Sequence, residues 1–197
     1  MQRLIVSDIF GRTPALERLA LELQGDVEII DPYDSSVMEF ENENDAYVYF
    51  THNVGLDAYA EKLSNALKAM HSPVSLLGFS VGASASWKLS ENPKTTNVVG
   101  AVLFYGSQIR HYSKIEPHFP TSLVFPKAEP HFLVTELISV LRQKENVHIH
   151  HAQEGHGFMN DHSQNYSVHA YKKYMQALCD VPCSASFHTA VFDKKHR

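Results

Sequence analysis

Cysteine, long apolar runs and clustered charge are all scarce in this chain of 197 residues. Its two cysteines, Cys179 and Cys183, would close only a very short loop as a disulfide, so we expect two reduced thiols. No apolar run approaches the roughly 18 residues of a membrane span, and the N-terminus shows no signal-peptide core. Lysine and arginine are scattered and the net charge is −5, which disfavours nucleic acid and acidic membranes as partners. We therefore expect a cytoplasmic protein that binds neither nucleic acid nor membrane.

Familiar nucleotide and metal motifs are also missing. Neither a G-x-G-x-x-G nor a Walker pattern occurs, so no phosphate-binding loop is indicated. The chain has 13 histidines, and His148, His150, His151 and His156 lie close together in the sequence. No H-E-x-x-H pattern or clear carboxylate partner accompanies them, which favours packed or surface histidines over zinc ligands. We expect neither a metal nor an organic cofactor.

Short apolar runs alternate with amphipathic segments along the chain. We expect strands over 4–6, 27–30, 74–77, 98–104, 122–125 and 147–149. Helices are expected over 14–23, 41–53, 58–70, 83–89, 132–142 and 166–178, with 41–53 also compatible with a strand. Thr13 and Asp57 are the expected caps of the helices that follow them. This order predicts an α/β fold, a single domain over 1–197 with a mostly parallel sheet of about six strands and helices on both faces. Residues 182–197 show no firm pattern and are expected to form a loosely packed tail.

The most informative motif is Gly78-Phe79-Ser80-Val81-Gly82, which reads G-x-S-x-G between a predicted strand and a predicted helix. A serine at a sharp strand-to-helix turn is typical of the nucleophile elbow of α/β-hydrolases, where its hydroxyl stands above the sheet edge. Glycines two positions away on either side leave room for the close approach of strand and helix. The alternative is a structural turn that contains an incidental serine.

A serine hydroxyl becomes an effective nucleophile only when a base removes its proton. In α/β-hydrolases an acid and then a histidine follow the serine along the chain. His156 is the expected base, because it lies in a glycine-flanked loop between the last predicted strand and the last predicted helix. Glu129 follows the preceding strand and is expected to orient the imidazole, with Glu136 and Glu154 as alternatives. A loop histidine without a catalytic role is the competing interpretation.

Negative charge that develops on a substrate carbonyl requires hydrogen-bond donors. The backbone N–H of Val81, directly after the serine, is expected to supply one donor, and the loop 8–11 after the first strand the other. We expect Asp8, Phe10 and Phe158 at the rim of the pocket. For Asp8 the alternative is a residue that braces its own loop.

Four separated segments, taken in order, resemble the dienelactone hydrolase family of α/β-hydrolases. They are Asp8-Ile9-Phe10-Gly11, the G-x-S-x-G elbow, Phe104-Tyr105-Gly106 and His156-Gly157-Phe158. Residues 125–129 fall where that family has a strand end, two variable residues and the catalytic aspartate. The resemblance extends to about residue 178 and implies an α/β-hydrolase fold with Ser80, Glu129 and His156 as the catalytic triad. It also implies that the backbone amides of Ile9 and Val81 form the oxyanion hole.

Several residues depart from the family pattern. Ser80 stands where true dienelactone hydrolases have cysteine, and Glu129 stands where the family has aspartate. Asp8 replaces a glutamate, and Pro126 replaces a glycine. These departures argue against dienelactone itself as the substrate and leave ester-type hydrolysis as the expected chemistry.

The sequence thus predicts a serine hydrolase that cleaves carboxylic ester, lactone or thioester bonds of small substrates through an acyl-enzyme. The sequence alone does not indicate an oligomeric state. The altered acid and the altered first loop motivate an alternative, a hydrolase-like protein that binds a ligand without turnover. Because no long insertion follows the strands, we expect no cap domain and a shallow, open pocket.

Overall fold

A computed structural model describes residues 2–23 and 25–180. Within that range the strands are β1 (Gln2–Val6), β2 (Asp26–Ile30), β3 (Val74–Phe79), β4 (Val98–Phe104), β5 (Thr121–Phe125) and β6 (Val147–His151). The helices are α1 (Pro14–Glu22), α2 (Glu43–Asn53), α3 (Gly55–Ala69), α4 (Val81–Leu89), α5 (Val134–Leu141) and α6 (Val168–Asp180), with a 3₁₀ helix at Ser107–Tyr112. The predicted tail 182–197 and Cys183 lie outside the described residues.

The six described strands pair in parallel in the order β2-β1-β3-β4-β5-β6, so the predicted parallel α/β fold is confirmed. The chain places β2 on one side of β1 and then crosses to place β3 on the other side. Open parallel sheets bind ligands at such a switch point, beyond the carboxyl ends of the strands. Ser80 follows β3 and the loop 8–11 follows β1, so both lie at this point.

Alternate residues of the strands face two separate hydrophobic cores. Leu76 of β3 and Leu103 of β4 pack in a core that includes residues of α2, α3, α4 and α5. Leu77 and Phe104 point the other way, into a core with α1 and α6. Each fully buried leucine or phenylalanine contributes roughly 1.5–3 kcal/mol of transfer free energy. The prediction of helices on both faces of the sheet is confirmed.

The helix caps agree with the sequence at α1 and differ at α3. The Leu16 N–H donates to Thr13 Oγ1 at 3.2 Å, so Thr13 caps α1 as expected. The prediction that Asp57 caps the next long helix is wrong, because α3 begins at Gly55, directly after α2, and Asp57 lies inside its first turn. Gly55, with φ 75°, permits the tight turn between the two helices. The ambiguous segment 41–53 contains α2, a helix, as favoured from the sequence.

The carboxyl ends of the strands carry loops and short helical segments. No separate cap domain occurs among residues 2–23 and 25–180, since the chain between β5 and β6 contains only a loop and α5. Over the same described part of the chain, no helix combines the length and the apolar character needed to cross a membrane.

Candidate active site

Ser80 occupies a strained turn between β3 and α4. Its backbone has φ 49° and ψ −111°, a positive-φ conformation that costs a non-glycine residue about 1–3 kcal/mol. Hydrogen bonds on both sides hold the turn, since the Ser80 N–H donates to the Phe104 carbonyl and the Ser84 N–H donates to the Ser80 carbonyl, both at 3.0 Å. The hydroxyl is thereby presented at the N-terminus of α4, half-buried at the sheet edge.

The two glycines of the motif allow backbone segments to touch. A Cβ added at Gly82 would lie 2.2 Å from the Val6 carbonyl oxygen and 2.3 Å from the Ser7 carbonyl oxygen. A Cβ at Gly78 would lie 2.8 Å from Cα of Ala83. The first turn of α4 therefore packs directly against the end of β1, which brings the residue after Ser80 next to the loop 8–11.

His156 lies in the loop between β6 and α6 and faces Ser80. Its Nε2 is 3.1 Å from Ser80 Oγ. The loop is fixed by side chains that donate to the His156 carbonyl, Ser163 Oγ at 3.1 Å and Asn165 Nδ2 at 3.0 Å. The Tyr105 ring packs against the imidazole with its centroid 5.0 Å away, and Tyr105 itself has a positive φ of 42°. These contacts fix the backbone of the loop at His156 and pack one side of the imidazole.

Glu129 meets the other side of the imidazole. His156 Nδ1 donates to Glu129 Oε1 at 2.7 Å, and the two side chains are 21% and 7% exposed. This contact places the ring proton on Nδ1 and leaves Nε2 to accept the hydroxyl proton of Ser80. Neither Glu136 nor Glu154, the alternatives considered from the sequence, makes a hydrogen bond or ion pair with His156.

Two backbone donors stand next to Ser80. The N–H groups of Ile9 and Val81 have no hydrogen-bond acceptor among the described residues. The two N–H groups that follow Ile9 in the loop 8–11 already have hydrogen-bond acceptors. Phe10 N–H donates to the Asp8 side chain, and Gly11 N–H donates to the Asp8 carbonyl. The Ile9 and Val81 amides are thus available for an oxygen atom of a ligand.

None of the three residues predicted at the pocket rim, Asp8, Phe10 and Phe158, is among the residues that line the cleft above Ser80. Phe158 is 0% exposed and packs against Tyr174 with centroids 5.1 Å apart, because its large apolar ring is more stable in the core than beside solvent. Phe10 is buried and stacks on His162 at 5.2 Å. Asp8 lines a separate small cavity together with Tyr105 and Asn160.

Asp8 instead links two loops of the site. Its Oδ1 accepts a hydrogen bond from Phe10 N–H at 2.9 Å, and its Oδ2 accepts one from Asn160 Nδ2 at 2.5 Å. Burial raises the pKa of the Asp8 carboxyl, while these two donors act in the opposite direction. The loop after β1 is thereby tied to the loop that carries His156, which agrees with the bracing role considered for Asp8.

A cleft of about 750 Å³ opens above Ser80. Five residues predicted from the sequence line it, namely Ile9, Ser80, Val81, Glu129 and His156. The cleft is large enough for a small organic molecule and lies at the switch point of the sheet, as ligand sites in open α/β folds do.

Other walls of the cleft were not predicted from the sequence. Glu43 and Tyr47 reach it from α2, and Gln108 reaches it from the 3₁₀ helix. The pattern of 41–53 indicated a helix, but only the packing of its buried Phe50 decides that the helix lies over the sheet edge. The available signal was the spacing of Glu43 and Tyr47, which places both on one helical face.

The clustered histidines form no evident metal centre. Within the described residues, no group of three or more His, Cys, Asp or Glu side chains is arranged to hold a metal ion. His150 Nε2 lies 2.7 Å from the Tyr174 hydroxyl, and His151 Nε2 lies 3.2 Å from the Lys127 carbonyl oxygen. These contacts place the two histidines in the packing of β6.

The chain matches the dienelactone hydrolase family model over residues 36–181. The protein belongs to the dienelactone hydrolase family. The resemblance inferred from the separated motifs is therefore confirmed, and the protein is an enzyme of the α/β-hydrolase type. Its parallel sheet with a serine at the strand-to-helix turn is the fold expected of this family.

Three similar proteins share between 14% and 33% sequence identity with this hydrolase. The uncharacterised protein YczH of Bacillus subtilis is 33% identical over 150 residues, which cover 74% of this chain and 72% of that protein. A solved protein of Klebsiella pneumoniae, provisionally described as a dienelactone hydrolase, has a TM-score of 0.67 at 16% identity, covering 87% of this chain and 81% of the other. A dienelactone hydrolase-like promiscuous phosphotriesterase from metagenomic libraries has a TM-score of 0.61 at 14% identity, covering 91% and 84%. At such low identity these two structures share the fold with this chain.

Proposed function

We propose that this enzyme is a serine hydrolase that cleaves carboxylic ester, lactone or thioester bonds of small substrates. The observation that supports this proposal is a continuous hydrogen-bond chain. It runs from Glu129 Oε1 through both ring nitrogens of His156 to Ser80 Oγ, with distances of 2.7 and 3.1 Å. This series of hydrogen bonds ends at Ser80, which lines the cleft. Next to Ser80 are the backbone N–H groups of Ile9 and Val81, which have no hydrogen-bond acceptor among the described residues.

The first half of the reaction forms an acyl-enzyme. Ser80 Oγ attacks the carbonyl carbon while its proton passes to His156 Nε2. The Glu129 carboxylate stabilises the imidazolium, and the N–H groups of Ile9 and Val81 donate to the carbonyl oxygen as it becomes negative. When the tetrahedral intermediate collapses, the alcohol or thiol leaves with the proton from Nε2, and the acyl group remains on Ser80.

The second half regenerates the serine. A water molecule takes the position of the leaving group, and His156 Nε2 removes its proton as its oxygen attacks the acyl carbon. The same backbone amides stabilise the second oxyanion. Collapse returns the proton from Nε2 to Ser80 Oγ and releases the carboxylic acid. None of these steps calls for a metal or an organic cofactor.

The substrate size follows from the site. The cleft measures about 750 Å³ and no separate cap domain encloses it within the described residues. A short acyl chain is therefore favoured over a long lipid chain, which would require an extended apolar wall to bury its methylene groups.

Labelling with a fluorophosphonate probe tests this proposal. We expect covalent modification of Ser80, identified by peptide mass spectrometry, and hydrolysis of p-nitrophenyl acetate by the same protein. In Ser80→Ala and His156→Ala, kcat should fall on the order of 10⁶-fold, which is to background. Ser139→Ala and His71→Ala, at exposed positions away from the cleft, are the matched controls and should keep wild-type rates.

The outcomes separate two functions. Labelling that persists in Ser80→Ala would refute Ser80 as the nucleophile. A well-folded protein that neither labels nor cleaves esters would instead be a hydrolase-like binding protein, the alternative considered from the sequence.

A further inference from the structure

The fixed charges on the walls of the catalytic cleft have one sign. Among its described lining residues the carboxylates are Glu43 and Glu129, the histidines are His131 and His156, and no lysine or arginine is present. The Glu129 carboxylate already accepts a hydrogen bond from His156, with Oε1 and Nδ1 2.7 Å apart. Glu43 is exposed, and its carboxylate makes neither a hydrogen bond nor an ion pair with any other described residue. Glu43 is therefore the carboxylate of this cleft that is available to a ligand.

An aromatic ring stands next to that carboxylate. Tyr47 follows Glu43 by four residues on α2, a spacing that puts two side chains on one helical face with Cβ atoms about 5–6 Å apart. Both residues line the cleft, and Tyr47 keeps 50% of its surface exposed. A different face of α2 is anchored in the core by Ala46 and Phe50, which fixes the orientation of the helix.

Glu43 and Tyr47 share one cleft with the proposed reacting groups. Ser80 and His156 line the same cleft, which measures about 750 Å³. Pockets of about 300–1,000 Å³ hold small organic ligands. A group bound at Glu43 can therefore belong to the same small molecule whose carbonyl reaches Ser80.

A carboxylate beside an accessible aromatic ring is the pairing that binds ammonium groups. The cation forms an ion pair with the carboxylate and a cation–π contact with the ring. An anionic substrate would instead meet like charge with no lysine or arginine to compensate it. We propose that Glu43 and Tyr47 form a subsite for a substrate ammonium group, so that the enzyme prefers small cationic esters and discriminates against anionic ones. This assignment rests on the proposed function, because the subsite acts by presenting an ester bond to Ser80.

Three thioesters of similar size and different charge test the subsite. They are acetylthiocholine, its neutral isostere S-(3,3-dimethylbutyl) thioacetate, and the anionic S-acetyl-3-mercaptopropionate, each followed by the thiol released. We expect kcat/KM for the cation to exceed that for the neutral ester by about fivefold, and the neutral ester to exceed the anion by about fivefold. In Glu43→Gln the cation-to-neutral ratio should fall to about one, and in Glu43→Lys the order should reverse. Tyr47→Leu should lower the ratio by about twofold.

Glu41→Gln is the matched control, since it removes the same charge at an exposed position outside the cleft and should keep the preference for the cation. Equal kcat/KM values for the three thioesters would overturn the subsite while leaving the hydrolase proposal intact. A cation preference that survives in Glu43→Gln would also overturn it. Absence of turnover for all three, together with absence of fluorophosphonate labelling at Ser80, would refute the proposed function and the subsite with it.

Discussion

Replacing Gly82 by alanine tests the packing that supports the nucleophile. The new Cβ would lie 2.2 Å from the Val6 carbonyl oxygen and 2.3 Å from the Ser7 carbonyl oxygen. Non-bonded carbon and oxygen atoms normally approach to about 3.3 Å, so α4 would have to move about 1 Å away from β1. Both obstructing atoms belong to the backbone at the end of a central strand and have little freedom to yield. We expect overpacking to cost about 3 kcal/mol of unfolding free energy.

For a chain of this length, such a loss lowers Tm by roughly 6–12 °C, measurable by differential scanning calorimetry. The same displacement moves Ser80 and the Val81 N–H, so the rate of fluorophosphonate labelling should fall about 10²-fold. Gly106→Ala is the matched control, because its Cβ would meet side-chain atoms and no backbone, Ile109 Cδ1 at 2.8 Å and Ala83 Cβ and Ile109 Cγ1 at 3.2 Å. The control should cost less than Gly82→Ala, since side chains can shift more readily than backbone. A Gly82→Ala variant that melts and labels like the wild type would refute the reasoning.

Three further perturbations have defined outcomes. Glu129→Gln removes the charge that faces His156 Nδ1, so kcat for p-nitrophenyl acetate should fall about 10³–10⁴-fold. Glu136→Gln, on the exposed side of α5, is the control, and its kcat should stay within about twofold of the wild type. Equal losses of kcat in both variants would contradict the assignment of Glu129. Phe158→Ala removes a side chain that is 0% exposed and should lower the free energy of unfolding by about 3–5 kcal/mol. Calorimetry should show this as a decrease in Tm of roughly 6–20 °C. A decrease under about 2 °C would show that the ring is not packed as described. Burial raises the pKa of Asp8 above its ordinary 3.8, so the folded protein holds this proton more tightly than the unfolded chain. Protonated Asp8 therefore stabilises the folded state at low pH, and this stabilisation is lost as the pH rises through the raised pKa. The Tm of the wild type relative to Asp8→Asn should therefore decline as the pH rises above about 4, and a rising difference would contradict the direction of the shift.

The parts of the site that could be predicted depend on local patterns. G-x-S-x-G between an apolar run and a small-residue helix requires only adjacent residues to be recognised, and the structure places Ser80 at that turn. His156 and Glu129 could be nominated because loops that follow parallel strands must meet at one edge of the sheet. The alternation of strands and helices predicted a mostly parallel sheet, and the strand order itself came only from the structure.

The remainder depends on contacts between distant segments. Phe158, two residues after the histidine, could not be assigned to core or rim from its neighbours, and the core with Tyr174 decides its position. The start of α3 shifted to Gly55 because α2 runs almost directly into it, and this moved Asp57 from a cap to the first turn. The walls that Glu43 and Tyr47 provide arise from the docking of α2 on the sheet edge, which no local pattern encodes.

Asp8 and Asn160 are 152 positions apart in the chain, yet their side chains meet at 2.5 Å. A nascent chain that has not yet been synthesised as far as Asn160 already contains Ser80. It still lacks the hydrogen bond that joins the loop after β1 to the loop after β6. We therefore expect the proposed nucleophile to become reactive only after β6 and the loop that follows it are in place. A probe that modifies Ser80 should consequently label chains that include the loop with Asn160 and leave shorter chains unlabelled.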